Sequence, residues 1–285
     1  MQTINTIKNL TAIIKDWKQA GLVIALVPTM GNLHAGHLKL VTEAKAKADK
    51  VVVSIFVNPT QFGVGEDFAS YPRTELQDIA LLEAHGADVL FLPGTEEVYH
   101  PQAQTLVSVP RLALLHCGVS RAGHFDGVAT IVCKLFNIVQ PDMAFFGEKD
   151  CQQLAIIRTM VRDLNIPVEI HSAPTVREAD GLAMSSRNSY LTAEQRLIAP
   201  KLYQALCAAR DAVLTTNHAF TQIEQHQRQI LLLAGFTVEY FSICRSSDLL
   251  PANPSDQDLV ILAAARLGKP RLIDNIQFKN QSSSS

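Results

Sequence analysis

The feature that most constrains this chain is an alternation. Through the first 175 residues, short apolar runs bounded by turn residues take turns with longer stretches whose apolar positions recur at three and four. GLVIALV, VVVSIFV, DVLFLP, TLVSV, DMAFF and VEIHSA read as strands. HLKLVTEAKAKA, ELQDIALLEAHG, GVATIVCKLFNIV and CQQLAIIRTMVRDL read as helices between several of them. Strands that are apolar almost throughout are buried on both faces, so the predicted fold is α/β: a Rossmann-like parallel sheet with helices on both faces. After about residue 176 the pattern changes to two long helices, TAEQRLIAPKLYQALCAARDAVL and FTQIEQHQRQILLLAG, and then to strand-like TVEYFSIC, LVILAAA and RLIDNI. The expected organisation is therefore one domain over residues 1–175 and a smaller C-terminal α+β domain over 176–285. The closing QSSSS is low-complexity and expected to fray.

Charge narrows the function. Lys and Arg total 25 against 27 Asp and Glu, so there is no surplus positive field to hold a nucleic-acid backbone, and no nucleic-acid partner is expected. No apolar run approaches the roughly 20 residues that span a bilayer, and Lys8, Lys15 and Asp16 interrupt the opening segment, so neither a membrane partner nor secretion is expected. The five cysteines (Cys117, Cys133, Cys151, Cys207, Cys244) form no C-x-x-C pair, which points to a reduced, cytoplasmic setting.

In an open α/β sheet, ligands sit outside the carboxyl ends of the strands. The stretch LVPTMGNLHAGHLKL, residues 26–40, falls at such an end. A strand ending at Val27 and a helix beginning near Gly36 would leave unpaired backbone N–H groups there, a geometry that attracts anions. Gly31 and Gly36 permit close approach, and the imidazoles of His34 and His37 could add donors. Neither a P-loop nor a G-x-G-x-x-G is present. Zinc is a weaker reading, because no Cys or carboxylate lies at ligand spacing, and a bland turn with exposed histidines is the plain alternative. Two more strand ends offer polar groups to the same rim: Asn58, Pro59, Gln61 and Phe62 after VVVSIFV, and Gly147, Lys149 and Asp150 after DMAFF, followed by Gln152 and Gln153. GLAMSSRNSYL adds Ser185, Ser186 and Arg187 in a loop before a helix capped by Thr192.

PTMGNLHAGH, VNPTQFG, YPRT, GHFDGVATIVCKLFNIVQPDMAFFGEKDCQQL, DGLAMSSRNSYL and RLIDNI together resemble the pantothenate synthetase (pantoate–β-alanine ligase) family, over most of the chain. HxGH alone would indicate only the wider nucleotidylyl-transferring superfamily. The resemblance implies ATP-dependent joining of pantoate to β-alanine through a pantoyl-adenylate, with magnesium (Mg2+) accompanying ATP, and a homodimer. It also implies the site. Met30, Gly31, Asn32, Leu33, His34, Ala35, Gly36 and His37 would bind ATP, as would Gly147, Glu148, Lys149, Asp150, Val176, Met184, Ser185, Ser186 and Arg187. His37, His34, Lys149 and Arg187 would be the catalytic set, and Gln61 and Gln153 would bind pantoate. The first domain would hold nucleotide and pantoate, and the second would close over them. No protein metal ligand is assigned, because Mg2+ retains waters and takes few protein carboxylates. Another transferase of the superfamily and a non-catalytic ATP sensor are the rival readings.

Overall fold

The computed structural model describes residues 1–63, 65–215 and 219–280. The QSSSS tail lies outside them. The chain divides into two compact units. The first comprises Met1–Leu114, Arg121–Glu148 and Gln153–Pro174; the second comprises Leu115–Ser120, Lys149–Gln152 and the chain from Thr175 onward.

The first unit holds strands β1 (Gln2–Ile4), β2 (Ile24–Thr29), β3 (Lys50–Ile55), β4 (Val89–Phe91), β5 (Met143–Gly147) and β6 (Glu169–Ala173). They form one sheet in the order β1-β4-β3-β2-β5-β6, and each pairing is parallel. The chain winds outward from β2 in one direction through β3 and β4, then returns to add β5 and β6 on the other side. The order therefore reverses between β2 and β5, the switch point where an α/β sheet opens a crevice at its carboxyl edge. The helices are α1 (Ile7–Gln19), α2 (Ala35–Lys45), α3 (Glu75–Ala84), short turns α4 (Thr95–Val98) and α5 (Pro110–Ala113), α7 (His124–Val139) and α8 (Cys151–Asp163), α6 being Cys117–Ser120 of the second unit. Leu40, Val41 and Ala44 of α2 and Leu82 of α3 pack on Val27, Val53 and Ile55. The opposite-parity residues Leu26, Val52 and Phe91 are buried as well, so the second face is also covered; α7 lies against β2 and α1. Burial on both faces is why these strands read as unbroken apolar runs.

The second unit carries α9 (Ala193–Ile198), α10 (Lys201–Thr215) and α11 (Phe220–Leu233) on an antiparallel sheet β7-β8-β9, formed by Thr237–Arg245, Asp258–Arg266 and Arg271–Lys279. Leu206 and Leu231 of the helices meet Phe241 and Ile261 of the sheet in its core.

Three local expectations are corrected. TLVSV is not a strand: its Val107 N–H donates to the Thr130 hydroxyl, a side chain taking the place of a neighbouring strand. The segment from Thr192 to Leu214 is not one helix but α9 and α10, separated around Pro200, whose missing N–H and ring interrupt the ladder while the apolar spacing runs on either side. α2 starts one residue early, at Ala35, because His34 caps it. The edge strand β1 and helix α1 are additions; in α1, Ile7, Leu10, Ile14 and Trp17 recur at helical spacing behind a Thr6 cap.

Candidate active site

In the first unit, the turn after β2 is held from inside. Gly31 adopts φ +81, and a Cβ there would meet Ile55 at 3.0 Å and Asp78 at 3.2 Å, so only glycine fits. Asn32 follows at φ +50, a left-handed conformation that asparagine accepts better than most residues. The Asn32 and Leu33 N–H groups donate to the two oxygens of the buried Asp78 carboxylate, at 2.9 and 2.8 Å, and the Thr74 hydroxyl donates to it at 3.2 Å. The Gly31 N–H donates to the Thr29 hydroxyl at 3.2 Å. Gly36 N–H donates to His34 Nδ1 at 3.1 Å, and His34 N–H donates to His37 Nδ1 at 3.3 Å, a reciprocal capping box made of two imidazoles.

This overturns one expectation. The backbone N–H groups of Gly31 to His34 are not left open for an anion; Asp78, Thr29 and the imidazoles use them. What the turn presents instead is side-chain chemistry. With both Nδ1 atoms accepting, each neutral ring carries its proton on Nε2, and the rings lie 4.1 Å apart at the switch point. A cleft of about 160 Å³ opens beside the turn, lined by Met30, Gly31, Arg73, Thr74, Asp78 and Thr95 among others. YPRT, whose role the sequence left open, supplies part of that wall.

The loop after β3 is equally fixed. Asn58 Oδ1 accepts from the Thr60 hydroxyl and the Tyr99 hydroxyl, both at 2.9 Å, while its Nδ2 donates to Gln61 Oε1 and to the Gly127 carbonyl, both at 3.1 Å. Gln61 is buried, and its Nε2 donates to Met30 Sδ at 3.0 Å, which joins this loop to the turn after β2. His124 Nδ1 donates to the Gln61 carbonyl at 2.7 Å, and Arg121 donates to His124 Nε2. Arg121 also forks onto Glu66 at 2.6 and 2.7 Å. Burial alone would raise the Glu66 carboxyl, but the Arg121 guanidinium and the Gly63 N–H override it and hold the group at about 2. Gly127 is required by contact: a Cβ would come within 2.4 Å of the Thr60 carbonyl oxygen. After β5, Glu148 accepts from the Ser172 hydroxyl, and the side-chain amide of half-buried Gln153 has no hydrogen-bond partner among the described residues.

The second unit assembles its own group. Lys149 Nζ donates to the Met184 carbonyl at 3.5 Å, and Met184 N–H donates to the Val176 carbonyl at 2.9 Å. Ser185 caps the short turn Ser186–Tyr190 through the Arg187 N–H. Lys149, Val176 and the Met184–Arg187 loop are thus brought together; Asp150 adjoins Lys149 in sequence. Residues the sequence did not single out are Asp78, Tyr99, Arg121 and Gly127 here, and Arg177 in the second unit, which forks onto Asp274 at 2.6 and 2.9 Å and lies 3.5 Å over the Tyr203 ring. Of these, only Gly127 lies in a stretch that the sequence marked, GHFDG.

Comparison with known proteins fixes the class. A family model described as pantoate-beta-alanine ligase matches residues 2–277. The pantothenate synthetase of Pseudomonas fluorescens (strain SBW25) is 53% identical over 280 residues, covering 98% of this chain and 99% of the relative. Among solved structures, pantothenate synthetase from Thermus thermophilus superposes with a TM-score of 0.90 at 44% identity, over 97% of this chain and 99% of that one. The pantoate-beta-alanine ligase of Francisella tularensis, complexed with beta-gamma ATP and beta-alanine, gives 0.82 at 35% identity, over 97% of both chains. The protein is therefore an enzyme of the ligase class, built on a parallel α/β sheet with a small antiparallel second unit. It belongs to the pantoate-beta-alanine ligase family.

Proposed function

We propose that the chain ligates (R)-pantoate to β-alanine at the expense of ATP, by way of a pantoyl-adenylate. A pantoate carboxylate oxygen attacks the α-phosphorus, the bond from that phosphorus to the bridging oxygen breaks, and diphosphate leaves. The β-alanine amine then attacks the acyl carbon, the bond to AMP breaks, and pantothenate and AMP result. The carboxylate is already ionised at neutral pH, so the first step needs in-line positioning and stabilisation of phosphoryl charge, not a strong base.

The observation that carries the reading is the imidazole pair at the switch point of the sheet. Both rings turn Nδ1 inward as acceptors, which commits Nε2–H as the donor that a phosphate oxygen would meet. His34 and His37 are proposed as those donors, with Lys149 and Arg187 supplying positive charge and Met30 to His37, Gly147 to Asp150, Val176 and Met184 to Arg187 forming the nucleotide site. Gln61 and Gln153 are proposed to bind pantoate, Gln153 with an amide that has no hydrogen-bond partner among the described residues. Gln61 is held at both ends of its amide and would meet pantoate in a fixed orientation.

Magnesium enters with the nucleotide. The donors proposed for the phosphates are N–H groups and an ammonium, which suit oxygen anions and not a divalent cation, so the ion would be carried by phosphates and water. Residues 1–175 are proposed to hold nucleotide and pantoate, and residues 176–285 to close over them. A homodimer in the cytoplasm completes the proposal; the five cysteines are free thiols, as a reducing compartment would keep them.

The test is exchange of labelled pyrophosphate into ATP. It should require pantoate and proceed without β-alanine. Exchange that ignores pantoate, or ADP as the nucleotide product, would sink the reading.

A further inference from the structure

RLIDNI, residues 271–276, stands out in the sequence and has no part in the chemistry assigned so far. It lies in β9 and pairs antiparallel with β8, yet two of its polar side chains are buried where apolar ones would be expected: Asp274 and Asn275 are 4% and 6% exposed. Burying such groups is costly unless each finds partners. Asn275 reaches one of the segments proposed to grip the nucleotide, and Asp274 reaches the hairpin that leads to another. Asn275 Nδ2 donates to the Lys149 carbonyl at 3.0 Å. Asp274 Oδ1 accepts from the Asn275 N–H at 2.8 Å, and the same carboxylate takes the two-pronged bond from Arg177.

Arg177 opens the hairpin that leads to Met184. It also donates to the Gly181 carbonyl at 3.1 Å, and its bridge partner across the hairpin is Ala183. Tyr203 closes the other side of the guanidinium; a Cβ on Gly181 would come within 2.9 Å of that ring, so the hairpin tip sits flush against it. Lys149 in turn donates from Nζ to the Met184 carbonyl. One strand therefore fixes both the backbone of Lys149 and the base of the 184–187 loop.

We propose that Asn275, braced by Asp274, is a positioning residue for Lys149: its amide holds the Lys149 carbonyl so that the ammonium is presented to the nucleotide from a fixed backbone. It touches no substrate. The inference rests on the role given to Lys149 under the proposed function, and the experiment separates the two.

Pyrophosphate exchange is measured in the full-length chain for Lys149→Ala, Asn275→Ala and the double variant, with Asn275→Leu as a variant of similar size that lacks the donor. Asn275→Ala and Asn275→Leu should each slow exchange about tenfold, the worth of one buried hydrogen bond, and Lys149→Ala about 100-fold. The double variant should be no slower than Lys149→Ala alone, because an amide that acts only through Lys149 has nothing left to position. A merely structural asparagine would slow the double variant by the product of the two losses, and that outcome overturns the proposal. So does unimpaired exchange in Asn275→Ala, or failure of both Asn275 variants to give a cooperative thermal melt, which would place the residue in the folding core. Wild-type exchange in Lys149→Ala would instead remove Lys149 from the proposed site.

Discussion

The turn after β2 and the hairpin before residue 185 are both loops held still from inside the protein, by opposite chemistry. In the first, a carboxylate gathers N–H groups: Asp78 accepts from Asn32 and Leu33. In the second, a guanidinium gathers carbonyls: Arg177 donates to Gly181 and Asn275 while Asp274 balances its charge. A turn that leaves a strand for a helix has surplus donors, which Asp78 meets, whereas the hairpin turns the Gly181 carbonyl toward Arg177, so the brace has the complementary polarity in each case. The side chains at hand differ accordingly: the first turn carries a pair of imidazoles, and the second leads into the serine-containing loop Met184–Arg187.

Removing the two braces should not cost the same. Asp274→Ala strips the counter-ion from a guanidinium that is largely enclosed, and should destabilise the chain by about 3–5 kcal/mol in urea unfolding. His37→Ala removes both a capping acceptor and the proposed donor. Adenylate formation in a single turnover should fall by about 10²- to 10³-fold, and an unchanged rate in a folded variant would take His37 out of the mechanism. Asp78→Ala leaves neutral N–H groups unpaired, and the cost should be smaller, about 1–3 kcal/mol. Equal losses for Asp78→Ala and Asp274→Ala in the same urea titration would erase the distinction between the loops. Gln153→Ala should weaken pantoate by about 1–3 kcal/mol while leaving ATP nearly unaffected. Calorimetric titration of each ligand separates that from a general loosening.

The smallest effect concerns acid. Glu66 is held at about 2, below its usual 4.5, so its pairing with Arg121 contributes stability that is complete above about pH 4.5 and lost as pH falls toward 2. Glu66→Gln should flatten the acid limb of a stability profile across that window, and a profile of unchanged slope would show that the Glu66–Arg121 pair does not stabilise the fold.

Most of the architecture could be read because parallel strands covered on both faces have to be apolar at every position: Val51, Val52 and Val53 are all fully buried. The errors share a cause. TLVSV has the composition of a strand but bonds to the Thr130 side chain, and composition carries no record of whether a partner strand exists. The break near Pro200 was hidden because α9 and α10 keep their apolar spacing on either side of it. In the site, glycines and imidazoles were conspicuous, whereas Asp78 and Asn275 were not. Each works on the backbone of a residue far along the chain, Asp78 across 46 positions and Asn275 across 126, and local spacing cannot show such a partner. The pairing of His34 with His37 was visible as two residues three apart, yet their use as a helix cap depends on ring orientation, which no spacing encodes.

The distance along the chain between Lys149 and Asn275 sets an order of events during synthesis. The lysine emerges from the ribosome 126 residues before the amide that holds its carbonyl. A nascent chain can close its parallel sheet well before then, since β6 ends at Ala173. The Lys149 ammonium can meet the Met184 carbonyl once residue 184 is made, but the Lys149 carbonyl cannot be fastened until β9 has followed, so the same residue is secured in two instalments.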